Sequence, residues 1–122
     1  MSDQVSSAID DSVVADLLDA IGGDRAFLIE LIDTYLGEAP RLLAEMRDAV
    51  ARGSAEDLVR PVHTLKSSSA SLGALRLSER CKILEASART SSLDGASEEV
   101  EGIAEELANA SASLTAIRDT PA

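Results

Sequence analysis

The chain holds one histidine, and a lysine and a run of very small side chains follow it closely: His63-Thr64-Leu65-Lys66-Ser67-Ser68-Ser69-Ala70-Ser71-Leu72-Gly73-Ala74. A neutral imidazole is a nucleophile near pH 7, so a lone exposed ring invites attack on an electrophile such as phosphorus. Lys66 is an i,i+3 neighbour, and its flexible stem can reach a group attached to the ring. One His and one Cys cannot assemble a zinc site from these residue types alone. No Gly-Lys-Ser/Thr phosphate loop or Gly-rich nucleotide box occurs, so the chain is not expected to use ATP itself.

The helix that carries His63 sets its direction. With Leu58 at 0° and about 100° per residue, Val62, Leu65, Ser69 and Leu72 fall within about 40° and form the inward stripe. His63 then lies near 140°, flanked by Ala70 near 120°, Ala74 near 160° and Ser67 near 180°. The ring should stand on the outer face among small neighbours. Serines are mediocre interior helix residues, and Pro61 lies two positions before the histidine. Local rules tend to be broken where function requires it.

The remaining segments also read as helices. Val13, Val14, Leu17, Leu18 and Ile21 form one face of a short first helix, with Asp10, Asp11 or Ser12 as its cap and Gly22-Gly23 as its stop. From Asp24 a long stripe runs from Phe27/Leu28 to Ala49/Val50, with a bend expected at Pro40 and a stop at Gly53. Ser54 and Asp57 approximate a capping box before the His63 helix, which Gly73 ends. Leu77, Cys81, Leu84 and Ala88 point inward from the next helix, which dissolves at Thr90-Ser91-Ser92. The last helix, capped by Asp94 or Ser97, presents Val100, Ile103, Leu107, Ala110, Leu114 and Ile117 as a bundle seam. The expected fold is all-α: an antiparallel up-down-up-down four-helix bundle with a short extra N-terminal helix. A single domain spans 1–122, with an ordered core over roughly 10–118 and frayed ends.

Composition narrows the functional classes. The 122 residues carry a formal net charge of −11, which argues against binding nucleic acid or anionic lipid. Phe27 and Tyr35 are the only aromatics, so base-stacking platforms are lacking. No apolar run reaches membrane-span length, and no signal peptide is visible. A single Cys cannot form an internal disulfide, which fits a reducing cytoplasm. Residues 58–89 reverse the charge: Arg60, Lys66, Arg76, Arg80, Lys82 and Arg89 against Glu79 and Glu85 give +4, leaving −15 elsewhere. A cationic region around His63 suits a phosphoryl group or an acidic partner pocket.

The string His63 to Ala74 resembles the motif of histidine-containing phosphotransfer (HPt) domains of bacterial multistep phosphorelays. The Gly-Gly-Asp turn with Phe27, the Pro40 region, and Leu77, Cys81, Leu84 and Glu85 extend the similarity over roughly residues 12 to 118. The resemblance implies that His63 is the phosphoacceptor and that Lys66 stabilises the phosphoryl oxygens. It further implies that Glu85 orients the imidazole, although Glu85 could equally pair with Lys82 or Arg89 on its own helix. Gly73 matches the helix-ending glycine. Ser67 stands where glycine is common, and Pro61 departs from the family pattern.

On that basis the chain carries phosphoryl groups from the phospho-Asp of one response-regulator receiver domain to the Asp of another. It has no kinase machinery and no cofactor of its own, with Mg²⁺ expected on the receiver. A hybrid histidine kinase is the expected upstream partner, and the carrier is expected to be cytoplasmic and monomeric. Arg60, Ser67, Ala70, Ala74, Arg76 and Arg80 are candidates for the docking surface. Cys81 is expected to be a buried thiol and the acidic last helix a solvated face. Two alternatives remain open at this stage. One is a helical docking module that is never phosphorylated. The other is the phosphoacceptor part of a chemotaxis-type histidine kinase, although Met1 and the acidic N-terminus favour an independent protein.

Overall fold

The computed structural model describes residues 8–121, and every regular element among them is a helix. The elements are α1 (Asp11–Ala20), α2 (Arg25–Ala51), α3 (Ala55–Ser71), α4 (Leu75–Arg89) and α5 (Ala96–Asp119). The four long helices pack in a ring: α2 on α3, α3 on α4, α4 on α5, and α5 back on α2. The apolar stripes read from the sequence meet at the centre. Ile32, Met46, Leu58, Leu65, Ile103 and Leu114 are almost completely buried, each contributing about 1.5–3 kcal/mol of hydrophobic stabilisation.

Most helix starts follow the capping chemistry expected of them. The Asp10 carboxylate accepts the Ser12 N–H at 2.9 Å, and Asp24 accepts that of Phe27 at 3.0 Å. Ser54 Oγ accepts the Asp57 N–H at 3.1 Å. The capping box is only half made, because the Asp57 carboxylate takes Arg52 at 2.9 Å and the Ser54 N–H goes to the Ala49 carbonyl. The start of α5 differs from expectation. Neither Asp94 nor Ser97 caps it; Gly95 holds the N-cap position at φ 69°, with no side-chain cap. The chain enters α5 through a left-handed residue, a conformation glycine adopts without strain.

Two prolines lie inside helices without ending them. The helical backbone of α2 runs through Pro40 and that of α3 through Pro61. Each proline deprives the carbonyl four residues earlier of its partner. Pro61 is buried, so its ring fills core space in exchange. The start of α3 is thus firmly at Ala55, six residues before the proline.

At the α3–α4 turn, Gly73 adopts φ 85°, and a Cβ there would come within 2.8 Å of the Asp10 carbonyl. The Asp10 N–H donates to the Gly73 carbonyl at 2.8 Å, which docks the approach to α1 on this end of the ring. Residues 1–7 and 122, where fraying was expected, lie outside the described residues. Ile9 is buried and Ala8 packs against the core, so core packing includes residues just before 10. At the other terminus α5 reaches Asp119, and Arg25 donates to the carbonyls of Ile117 and Thr120.

Candidate functional site

The inward stripe of α3 fixes where His63 can point. Leu58, Val62 and Leu65 are fully buried, and His63 lies outside their sector with its side chain 53% exposed. Across the α3–α4 groove stands Glu85, the only buried charged side chain among the described residues, 6% exposed. His63 Nδ1 lies 3.0 Å from Glu85 Oε2. Lys66 Nζ approaches the other oxygen, Oε1, at 2.7 Å. Arg89, one turn further along α4, donates to Oε2 from Nε at 2.9 Å and from Nη2 at 2.6 Å. One carboxylate therefore collects an imidazole, an ammonium and a guanidinium. The two pairings of Glu85 that the sequence left as alternatives, with His63 and with Arg89, both occur.

Burial alone would raise the Glu85 pKa, but the contacts from Lys66, Arg89 and His63 outweigh it and bring the carboxyl down to about 2. An ionised carboxylate only accepts hydrogen bonds. His63 must then present Nδ1–H to it, which leaves the lone pair of the neutral ring on Nε2. The partly exposed imidazole is thereby held in the tautomer whose distal nitrogen can attack.

The serine run divides its labour. Ser69 is buried and shares a 2.8 Å hydrogen bond with Tyr35, joining the His63 helix to α2 through the core. Burial pushes the Tyr35 hydroxyl up to about 12, so it remains a neutral partner. Ser68 and Ser71 turn their hydroxyls back to the carbonyls of Thr64 and Ser67, both at 3.1 Å. Ser67 is exposed beside His63, and Ala70 is half-buried next to it. Ser78 of α4 donates to the Lys66 carbonyl at 3.0 Å, pinning the backbone beneath the lysine. Cys81 is buried, and burial pushes its thiol up to about 12, as suits an inert core residue.

The proposed docking residues separate. Arg60 is exposed on α3 one turn before His63. Ala74 is fully buried at the N-cap of α4 and offers no surface. The wheel projected it beside His63, but the left-handed Gly73 ends the helical phase before residue 74. Arg76 and Arg80 are not brought to the imidazole. They lie about 140–180° around α4 from Glu85 and face α5, where Arg76 meets Glu106 at 3.1 Å. Arg80 reaches Glu99 and Glu106, both at 3.8 Å, with its guanidinium over Gly102. Sequence reasoning counted Arg89 among the cations of residues 58–89 and placed it as a rival partner for Glu85; its i,i+4 spacing was the available signal for a place in this cluster.

Among the described residues, no group of three His, Cys, Asp or Glu side chains converges as a metal site would need, and no helix is long and apolar enough to cross a membrane.

Comparisons with known proteins point to one family. The Hpt domain family model matches residues 30–113. Among solved structures, histidine-containing phosphotransfer protein B (HptB) from Pseudomonas aeruginosa PAO1 superimposes with a TM-score of 0.83 at 29% sequence identity, covering 91% of this chain and 94% of that one. No curated protein sequence matches. With a family model spanning most of α2 through α5, a matching fold and a projecting histidine on α3, the chain belongs to the Hpt domain family.

Proposed function

We propose that this chain is a phosphoryl carrier that takes a phosphoryl group from the phospho-Asp of one receiver domain onto His63 Nε2 and delivers it to the Asp of another. The observation that carries the reading is the half-exposed ring whose Nδ1 is committed to a buried, ionised Glu85 at 3.0 Å. The Nε2 lone pair forms the N–P bond as the O–P bond of the acyl phosphate breaks, and the aspartate leaves as carboxylate. The phosphorylated ring keeps Nδ1–H and a positive charge, which the Glu85 carboxylate offsets. Lys66, 29% exposed beside the ring, supplies a cation for the incoming phosphoryl oxygens. Such transfer rests on positioning and charge stabilisation, and the reverse reaction uses the same parts.

The scaffold we take for this role is an up-down-up-down antiparallel bundle capped by α1, supported by the ring packing and the short connections at 52–54 and 72–74. Arg60, Ser67 and Ala70 form the docking surface around the ring, where small side chains let another domain's reactive carboxyl approach. The chain needs no cofactor of its own in this scheme; Mg²⁺ belongs to the receiver's acidic pocket. A hybrid histidine kinase upstream, a cytoplasmic location and a monomeric state complete the reading.

Radiolabelled phosphoryl transfer from a phosphorylated receiver tests it. Wild type takes up acid-labile, base-stable label and His63→Gln takes up none. Label on His63→Gln, or base-labile label on a serine, sinks the reading.

A further inference from the structure

Lys66 and Arg89 both neutralise Glu85, and they do so at different oxygens. Lys66 holds Oε1 alone, whereas Arg89 and His63 share Oε2. Their surroundings differ as well. Lys66 lies on α3, three residues from the imidazole, on a flexible stem with rotatable donors. Arg89 lies on α4 four residues from Glu85 and grips one oxygen with two N–H groups, a pre-organised fork.

Resting on the carrier reading above, we propose that Arg89 is a positioning residue that retains Glu85 when Lys66 turns to the phosphoryl group. Before transfer the site holds two cations and one carboxylate around a neutral ring. Afterwards it also holds a dianionic phosphoryl group and a cationic ring, and the total falls to zero. Lys66 can leave Oε1 for the phosphoryl oxygens only if Glu85, almost fully buried, keeps another counter-ion. Arg89 is that counter-ion, and it fixes the carboxylate against Nδ1–H while the N–P bond forms and the aspartyl O–P bond breaks. Without it a single lysine must serve two anions.

The test is single-turnover transfer from a phosphorylated receiver across a range of receiver concentrations, with ¹⁵N NMR of the His63 tautomer in the unphosphorylated protein. Arg89 is 56% exposed, so its variants are expected to fold, which circular dichroism checks. Arg89→Gln lowers the saturating rate about tenfold, leaves the half-saturating concentration unchanged and retains Nδ1–H, because Lys66 still holds Glu85. Arg89→Lys restores most of the rate. Lys66→Met also slows transfer but keeps Nδ1–H, because Arg89 still holds Glu85, whereas the double variant, with neither cation on Glu85, loses that tautomer preference.

A wild-type saturating rate in Arg89→Gln overturns the proposal, as does a double variant that keeps the Nδ1–H tautomer. A change confined to half-saturation overturns it in favour of docking, and loss of the Nδ1–H tautomer in Arg89→Gln overturns it in favour of direct support of the ring. Absence of label on wild-type protein overturns the carrier reading itself and this proposal with it, a result distinct from a variant that matches a labelled wild type.

Discussion

Helix α4 carries an ion-pair cluster on each of two faces, and the two are built in opposite senses. Toward α3, one buried carboxylate, Glu85, is surrounded by the cations Lys66 and Arg89 and by His63 at 2.6–3.0 Å. Toward α5, Arg76 and Arg80 face Glu99 and Glu106 at 3.1–3.8 Å, and Arg80 lies over the bare backbone of Gly102. Among the described residues, the second face sets two cations against two carboxylates. The first leaves one positive charge in excess beside a nucleophile, on a chain whose formal charge is −11. Under the proposed carrier function, the unbalanced cluster next to the ring is where an anion is received, and the balanced one holds helices together.

The sharpest break in that contrast is His63→Gln, which should abolish phosphoryl acceptance while leaving the thermal midpoint near wild type, because the ring is half exposed. Arg80→Gln, on the balanced face, should leave the transfer rate unchanged; parallel label uptake and melting curves check both. Next comes removal of the central carboxylate. Glu85→Ala should lower transfer about 10- to 100-fold, the loss seen when a carboxylate that orients a metal-bound imidazole is removed, and should raise the Nε2–H tautomer seen by ¹⁵N NMR. Glu106→Ala should affect melting alone, and a transfer defect there would erase the distinction between the faces.

A third, smaller effect depends on pH. The Glu85 carboxyl is held at about 2 in the folded chain against an ordinary 4.5. A depressed carboxyl pKa stabilises the fold fully above the unfolded value and loses that contribution as pH falls through the folded one. Wild type should therefore lose stability from about pH 4.5 down to about 2, and denaturant titrations of Glu85→Gln should show a shallower acid slope. The smallest effect belongs to Gly102→Ala. Its Cβ would displace the tip of Arg80, a flexible group, while gaining up to about 1 kcal/mol of helix propensity. Melting should shift by only a few degrees, and transfer should not change.

Much of the fold was legible because apolar phase is a local property. The stripes Leu58-Val62-Leu65 and Val100-Ile103-Leu107 are buried as their spacing required. Asp10, Asp24 and Ser54 cap helices as oxygen-bearing side chains do at that position. The failures came where geometry changes abruptly. Ala74 was carried by a helical wheel past Gly73, which reverses the sign of φ. Asp94 and Ser97 looked like caps because nothing local announces that Gly95 turns the chain instead. In the site, His63 projecting from α3 followed from its phase. Its pairing with Glu85, 22 residues away, was supplied by family resemblance, since spacing along one helix says nothing about a partner across a groove. Lys66 bent back onto Glu85, and the shared Oε2, depend on the α3–α4 contact and were invisible before it.

The hydroxyls of Ser68 and Ser71 are each spent on a carbonyl of their own helix, so neither projects a free donor to solvent. In the carrier proposed above, a visiting receiver finds those two donors already satisfied and gains no polar bond from them that it must break on departure. On that proposal the two serines favour brief encounters and rapid exchange of one visitor for the next, the traffic pattern of a shuttle.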